Sequence, residues 1–291
     1  MKGIIIINPY LIPIESVRQA ERLKEEFNKK GVDVEIVKDG YLNAQISNSA
    51  LEIELEADFI VYLDKDKYLS SILERKGLKL FNSHDAIRVC DDKARTYIAL
   101  ANKGFNLPKT IFGALCYNDK CQIDKKAVDR IVEELKLPVI IKECYGSMGK
   151  GVYKADDKAE LMAIIEMVKT RPHLFQEYIG EKTGVDARLI VIGGEVVATM
   201  ERRNSQDFRS NVARGGSGKQ VELPSEFIET AEKIAKELNL DYCGVDLLYG
   251  KDNKPICCEV NSNAFFEGIE QATGINVAEK YVEYIINKIK Q

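Results

Sequence analysis

Histidine and paired cysteines are scarce in this 291-residue sequence. It has two histidines, and its seven cysteines include no Cys-x-x-Cys pair. These counts give little support to a zinc site built from cysteine and histidine. Scattered thiols are typical of proteins from a reducing cytosol, so we expect a cytoplasmic protein whose cysteines act as small buried apolar residues.

Long apolar runs and strongly basic stretches are also missing. No window approaches the roughly 18 uninterrupted apolar residues of a membrane-spanning helix, and the short run Ile4 to Ile7 predicts a buried strand rather than a signal peptide. The formal net charge is −4, the pI is about 5.6, and lysine and arginine form no stripe. We therefore expect neither a membrane nor a nucleic acid as partner.

Strand-like and helix-like segments alternate through most of the chain, which predicts an α/β architecture. Residues 4–8, 32–37 and 59–63 predict strands of a small parallel unit at the N-terminus. We divide the chain into units 1–87, 88–174 and 175–291. Gly193-Gly194 predicts the turn of a hairpin within the third unit.

Acidic side chains interrupt two apolar runs near the C-terminus. Asp246 lies within the run Gly244 to Leu248, Glu259 ends the next run, and Asn261 follows two positions later. If the two runs pair as a hairpin, alternation can place the three side chains on one face. Oxygen donors without histidine or cysteine favour Mg²⁺ or Mn²⁺ over zinc. A surface-facing hairpin with ordinary charges is the alternative, which the apolar neighbours disfavour.

A glycine-rich segment follows a predicted strand that contains Lys142. The segment Gly146-Ser147-Met148-Gly149-Lys150-Gly151 lets backbone N–H groups approach a phosphate, and Lys142 supplies a positive charge. The segment matches neither the Walker A spacing nor the GxGxxG pattern of dinucleotide-binding proteins. On these residues alone, a plain turn is as well supported as a nucleotide loop.

Two further segments contain residues suited to a nucleotide and its phosphates. The strand end Glu177-Tyr178 offers backbone groups to an adenine edge, and Asp186 offers acceptors to ribose hydroxyls. An edge strand and its turn explain these residues equally well. Further along, arginines occur in a glycine-bearing polar stretch, 204–218, which suits bidentate binding of phosphate or carboxylate. A solvated run of charges is the alternative for this stretch.

Taken in order, these segments resemble the ATP-grasp superfamily and, within it, the RimK-like glutamate ligases. The resemblance covers about residues 82 to 291 and is specific because many motifs, each weak alone, follow the family's order. The motifs are Asp92-Lys93, Val139-Ile140-Ile141-Lys142, the glycine-rich segment, Gln176-Glu177-Tyr178-Ile179, Asp186-Ala187-Arg188, Glu201-Arg202-Arg203, Asp207-Phe208-Arg209-Ser210-Asn211, Arg214-Gly215-Gly216, Cys243-Gly244-Val245-Asp246, Glu259-Val260-Asn261 and Glu267-Gly268-Ile269-Glu270.

The resemblance implies an ATP-grasp fold, in which an N-terminal parallel α/β domain precedes two α+β subdomains that hold ATP between them. It implies that two Mg²⁺ or Mn²⁺ ions bind at Asp246, Glu259 and Asn261. Arg203 and Arg214 are our candidates for stabilising the acyl phosphate or the tetrahedral intermediate. The residues expected at ATP are Lys93, Lys142, Ser147, Glu177, Tyr178, Asp186, Arg209, Ser210 and Asn211.

By the same resemblance we expect an ADP-forming carboxylate–amine ligase. A substrate carboxylate attacks the γ-phosphate of ATP, and an amine then displaces phosphate from the acyl phosphate to form an amide. The expected substrates are the carboxylate of a small molecule or peptide and the amine of glutamate or a similar amino acid. The family also suggests a homo-oligomer. A kinase of the same fold and a non-catalytic ATP-binding regulator are the alternatives.

One segment departs from the family pattern directly after the expected metal ligands. Where the family has Ala-Ser-Pro-Gly-Leu, this chain has Ser262-Asn263-Ala264-Phe265-Phe266. Phe265 therefore stands at the glycine position, which predicts a bulkier and less open wall around the substrate.

Overall fold

A parallel four-stranded sheet forms the first unit of the chain, whose computed structural model describes residues 1–10, 14–211 and 215–291. The elements are β1 (Lys2–Ile7), α1 (Ile14–Lys29), β2 (Asp33–Lys38), β3 (Gln45–Ser47), β4 (Ala50–Glu52), β5 (Phe59–Tyr62), α2 (Lys67–Arg75) and β6 (Leu80–Phe81). The strand order is β2-β1-β5-β6, and all pairs are parallel, as the sequence predicts. Successive isoleucines of β1 face opposite sides, so Ile5 and Ile4 belong to different cores.

The second unit contains an antiparallel four-stranded sheet covered by two helices. The elements are β7 (Thr110–Phe112), α5 (Lys125–Leu135), β8 (Val139–Glu143), β9 (Val152–Ala155), α6 (Lys158–Val168) and β10 (His173–Glu177), with strand order β7-β10-β8-β9. Asp124 and Asp157 cap the two helices, since each side chain accepts a hydrogen bond from a backbone N–H of the first turn. Both helices pack into one apolar core with β8.

The third unit contains an antiparallel five-stranded sheet between two apolar cores. The elements are β11 (Val185–Ile192), β12 (Glu195–Arg203), β13 (Ser217–Gln220), α7 (Ser225–Glu237), β14 (Tyr242–Tyr249), β15 (Pro255–Asn261), α8 (Glu267–Thr273) and α9 (Val277–Lys290), with strand order β13-β12-β11-β14-β15. β11 and β12 form the hairpin predicted at Gly193-Gly194. One sheet face packs against α7, and the other packs against α9 and the first unit. None of the helices that the structure describes is long and apolar enough to span a membrane.

Two helices between the first and second sheets, α3 (His84–Cys90) and α4 (Lys93–Leu100), pack against the third unit. Cys90 and Leu100 share a core with α7 and β11. The unit limits predicted after residues 87 and 174 fall inside α3 and β10, where no glycine or proline marks an end in the sequence. We therefore propose that the second unit ends at Glu177 and that the connection 178–184 leads into the third.

Asn82 joins the first unit to the third through four hydrogen bonds, and it is only 2% exposed. Its Nδ2 donates to the carbonyl oxygens of Tyr242 at 2.7 Å and Ser262 at 2.8 Å. Its Oδ1 accepts from the backbone N–H groups of Asp241 at 2.7 Å and Tyr242 at 3.1 Å. The amide thus uses its full hydrogen-bonding capacity on the backbone beside the predicted metal strands.

Replacing Asn82 with leucine is expected to lower the free energy of unfolding by roughly 3–5 kcal/mol, because several buried backbone groups lose their partners at about 1–3 kcal/mol each. Urea denaturation measures the loss. Asn28→Leu, at an exposed position of α1, serves as control and should change the free energy by less than about 0.5 kcal/mol. Equal stability of the two variants would contradict the joining role of Asn82.

Candidate active site

A cleft lies between the second and third units, beside the connection 178–184. Charged side chains of both signs line it, so it offers cations for phosphate groups and carboxylates for a metal ion. The charged lining residues are Lys93, Lys142, Glu177, Lys182, Asp186, Arg202, Arg209, Asp246 and Glu259.

Arg202 lies between two carboxylates in this cleft. On β11, Asp186 pairs directly with Arg202 of β12, and Arg188 pairs with Asp246 of β14, so the four side chains share one face of the sheet. Arg202 Nε is 2.8 Å from Asp186 Oδ1, and Arg202 Nη2 is 2.8 Å from Asp246 Oδ2. Arg188 binds Asp246 with two nitrogens, each 2.7 Å from an oxygen. The result is a row of alternating charges in which Asp186, Arg202 and Asp246 are buried and Arg188 is partly exposed.

Burial and the two guanidinium groups act on Asp246 in opposite directions. Burial raises the pKa of the carboxyl, but Arg188 and Arg202 outweigh this effect and hold the pKa of Asp246 below its ordinary value. The carboxylate therefore stays charged near neutral pH, as a metal ligand must.

The three predicted metal ligands lie on two neighbouring strands and on one face. Asp246 of β14 pairs with Glu259 of β15, and Gly244 pairs with Asn261 two residues along. A bulge beside Asp246 leaves Cys258 without an opposite residue, because the next pair is Leu247 with Cys257. Asp246 and Glu259 both line the cleft, whereas Asn261 lies beyond its lining.

The chemistry of this donor set fits Mg²⁺, which prefers carboxylate and amide oxygens. Across residues 1–10, 14–211 and 215–291 no three His, Cys, Asp or Glu side chains gather as a metal site. The amide oxygen of Asn261 would add a third protein donor to the two carboxylates. Arginine nitrogens use three of the roughly four acceptor positions of the Asp246 carboxylate, which leaves one for a metal ion.

Two buried lysines, Lys93 and Lys142, lie close to β15, the strand that carries Glu259. Lys93 Nζ is 3.3 Å from Glu259 Oε1 and 3.0 Å from the carbonyl oxygen of Gly146. Lys142 Nζ is 3.4 Å from the Tyr97 hydroxyl and 3.4 Å from the Cys258 carbonyl oxygen. Positive charge is thereby concentrated between the glycine-rich segment and the candidate metal ligands.

Arg209 connects the glycine-rich segment to the third unit. Its Nη1 donates to the carbonyl oxygens of Gly149 at 3.2 Å and Val152 at 2.9 Å. Its Nε and Nη2 donate to the Asp207 carboxylate, at distances of 3.0 and 2.6 Å. The guanidinium therefore holds the loop against the third unit rather than projecting freely into the cleft.

The remaining predicted ATP contacts occupy different parts of the site. Glu177 and Tyr178 line the cleft where β10 ends, and Glu177 Oε1 accepts a hydrogen bond from the Lys109 backbone N–H at 2.7 Å. Ser210 and Asn211 also line the cleft, whereas Ser147 does not. The cleft thus gathers the predicted ATP residues except Ser147.

Of the two arginines predicted as catalytic, Arg203 does not line the cleft. Neighbouring residues of a strand face opposite sides, so Arg203 points away from Arg202, is 62% exposed and contacts Glu201. Arg214 lies outside the described residues. Arg202 lines the cleft in place of its neighbour Arg203, and Arg188 binds Asp246 beside it. Both belong to motifs on which the family resemblance depends, but those motifs do not show which arginine faces inward.

Comparison with known proteins decides the family. The model of the RimK-like ATP-grasp domain matches residues 90–285. The chain belongs to the RimK-like ATP-grasp family. A relative from Pseudoalteromonas atlantica, named "Probable alpha-L-glutamate ligase 2", is 33% identical over 295 residues, covering 95% of this chain and 94% of the relative.

Solved structures show the same fold for this RimK-like chain. D-alanine–D-alanine ligase from Bacillus anthracis, complexed with ATP, gives a TM-score of 0.76 at 19% identity, covering 100% of this chain and 97% of that one. The ATP-grasp ligase PsnB, complexed with a phosphomimetic precursor variant, Mg and ADP, gives 0.71 at 18% identity, covering 99% and 98%. The predicted fold and family are therefore confirmed.

Arg202→Met is expected to destabilise the protein by roughly 3–5 kcal/mol at pH 7, because two buried carboxylates lose their shared counter-charge. The folded-state pKa of Asp246 is depressed. Ionised Asp246 therefore contributes fully to the free energy of unfolding above its unfolded-state pKa of about 3.9. This contribution is lost as the pH falls through the folded-state pKa. Urea denaturation should show the gap between variant and wild type shrinking below about pH 4.

Arg203→Met is the matched control, since it removes the neighbouring and exposed arginine of the same strand. It should stay within about 0.5 kcal/mol of the wild type. A larger loss from Arg203→Met than from Arg202→Met would contradict the placement of Arg202 in the row of alternating charges.

Proposed function

We propose that this RimK-like protein uses ATP and Mg²⁺ to join a carboxylate to the amine of glutamate or a similar amino acid. The reaction forms an acyl phosphate, and amide formation then releases phosphate beside ADP. The observation that carries the proposal is the convergence of three cations with the carboxylates of the candidate metal ligands in one cleft; the residues are Lys93, Lys142, Arg202, Asp246 and Glu259. The name of the relative from Pseudoalteromonas atlantica supports glutamate as the amino acid.

Lys93 and Lys142 are the proposed phosphate contacts, because their compact ammonium groups suit phosphate oxygens. Arg188 and Arg202 are positioning residues, since they keep Asp246 charged and oriented. Asp186 has both carboxylate oxygens bound by Arg202. We therefore assign Asp186 to positioning Arg202 rather than to binding ribose.

Asp246, Glu259 and Asn261 are the proposed metal ligands, and their side-chain oxygens supply enough donors for two ions. When bound, the metal neutralises charge on the phosphoryl group during its transfer. We assign to Arg209 the role of limiting the access of water, since it fastens the Gly149 end of the glycine-rich segment beside the cleft. The seven free cysteines suit a reducing compartment, so we propose the cytoplasm as location.

The adenine end of ATP is proposed to lie beside the connection 178–184. Glu177 and Tyr178 line this end of the cleft, and apolar side chains of Ile140, Ile179 and Leu248 lie there with them. A flat aromatic base fits such a lining, because it buries its faces while its edge meets the backbone.

The test is an assay of the full chain with ATP, MgCl₂, L-glutamate and a panel of small-molecule and peptide carboxylates. ADP release is expected to require both a carboxylate and an amine, and mass spectrometry should show the amide product. Phosphorylation of a hydroxyl compound without amide formation would replace the ligase with a kinase of the same fold. Tight ATP binding without ADP release across the panel would indicate a regulator.

Glu259→Gln is expected to raise the Mg²⁺ concentration for half-maximal ADP release by about tenfold or more, because a charged ligand becomes a neutral one. The measurement is ADP release titrated with MgCl₂. Glu195→Gln, at the exposed first residue of β12, is the control and should leave the requirement unchanged. An unchanged requirement in Glu259→Gln would exclude Glu259 as a metal ligand.

A further inference from the structure

Tyr97 of α4 is buried directly behind the lining of the ATP cleft. It lies four residues after Lys93, so the two side chains project from the same face of the helix. Lys93 itself lines the cleft. The Tyr97 hydroxyl is 3.4 Å from Nζ of Lys142, the second proposed phosphate contact. One helix therefore reaches both phosphate lysines.

The Tyr97 hydroxyl has one proton, and the contacts show where it points. The hydroxyl oxygen is 2.5 Å from the Cys258 carbonyl oxygen and 3.5 Å from Gln176 Oε1. Burial raises the pKa of Tyr97 above its ordinary value, so the hydroxyl stays protonated near neutral pH. Because a carbonyl oxygen only accepts, Tyr97 donates across the shorter contact to Cys258. The lone pairs of the hydroxyl can then accept from Lys142.

The Cys258 carbonyl oxygen lies at the bulge in β15. Cys258 has no opposite residue on β14. Its carbonyl oxygen accepts from the Tyr97 hydroxyl and, at 3.4 Å, from Lys142 Nζ. Bulges commonly re-aim groups next to active sites. This bulge directly precedes Glu259, so it provides an anchor for the phosphate lysine beside a candidate metal ligand.

Lys142 is a buried cation that no neighbouring carboxylate holds in place. It is 7% exposed, and its polar contacts among the described residues are to neutral groups. These groups are the Tyr97 hydroxyl and the carbonyl oxygen and sulfur of Cys258, with the sulfur at 3.7 Å. A buried ammonium is unfavourable without an anion. The contacts are longer than the usual distance of about 2.9 Å, so the ammonium can still donate to a phosphate oxygen.

We propose that Tyr97 is a positioning residue whose hydroxyl, fixed on the Cys258 carbonyl oxygen, holds the Lys142 ammonium in place for the phosphates of ATP. This role rests on the proposed ATP-dependent function. Tyr97 acts through Lys142 and does not itself contact the nucleotide. The helix α4 thereby positions both phosphate contacts, Lys93 directly and Lys142 through Tyr97.

The first test is Tyr97→Phe, which removes the hydroxyl and keeps the buried ring. The full chain is titrated calorimetrically with the non-hydrolysable ATP analogue AMP-PNP in the presence of MgCl₂. We expect the variant to bind AMP-PNP about three- to tenfold more weakly, because Lys142 loses one of the acceptors that orient it. Wild-type affinity in folded Tyr97→Phe would overturn the proposal.

Tyr62→Phe is the matched control. Tyr62 of β5 is also buried, and its hydroxyl also donates to a backbone carbonyl oxygen, that of Asp66 at 2.9 Å. It does not line the cleft. Urea denaturation confirms that each variant is folded before it is titrated. Tyr62→Phe should bind AMP-PNP as the wild type does, and a loss equal to that of Tyr97→Phe would contradict a specific role for Tyr97.

A double-mutant cycle separates positioning of Lys142 from a general structural effect. Lys142→Met removes the ammonium, while Lys93 and the adenine end of the cleft remain for the nucleotide. In this background Tyr97→Phe should change the affinity for AMP-PNP by less than about twofold, because the group that it positions is gone. The same three- to tenfold loss in both backgrounds would show that Tyr97 does not act through Lys142.

The titrations contain no carboxylate or amine substrate, so their result is independent of amide formation. Coupled losses support the role of Tyr97 whether or not an amide forms in the ligase assay. Failure of the wild type to bind AMP-PNP would overturn this role together with the proposed function. Additive losses in a protein that binds AMP-PNP would overturn the role of Tyr97 alone.

Discussion

Two carboxylates buried in neighbouring strands share one guanidinium, and the arrangement of the cleft depends on this interaction. An uncompensated buried charge costs several kcal/mol, so Asp186 and Asp246 each require a cation. Arg202 of β12 contacts both carboxylates, and Arg188 of β11 also binds Asp246. The requirement fixes which face of β12 turns inward. The two arginines also hold Asp246 opposite Glu259, so that both carboxylates lie on one face of the sheet, where they could bind a metal ion.

Much of this site could be predicted from sequence, because strand alternation and motif order are local properties. Two apolar runs of suitable length indicated that Asp246, Glu259 and Asn261 could share one face of a hairpin, and Gly193-Gly194 predicted the turn of the hairpin before them. The choice between Arg202 and Arg203 could not be made, because two adjacent arginines look alike until the strand register is known. The bulge at Cys258 was equally hidden, since no glycine marks it.

Contacts between distant segments were beyond sequence reasoning for a different physical reason. Asn82 binds backbone groups of residues about 160 positions away, and backbone groups carry no sequence signal. Gln19 likewise reads as an ordinary helix residue, yet the fold buries it against Ala264. Both contacts join the first unit to the segment around the candidate metal ligands. The N-terminal unit therefore shapes the surroundings of the reaction site, although the family motifs begin after it.

The most direct measurement is a crystal structure of the full chain with Mn²⁺ and a non-hydrolysable ATP analogue, using the anomalous signal of manganese to place the ions. Manganese should lie between Asp246, Glu259 and Asn261, and the phosphates of the analogue should lie beside Lys93. Arg202 should still bridge the carboxylates of Asp186 and Asp246. Manganese bound elsewhere, with Asp246 contacted only by Arg188 and Arg202, would contradict the assignment of this cleft as the site of phosphoryl transfer.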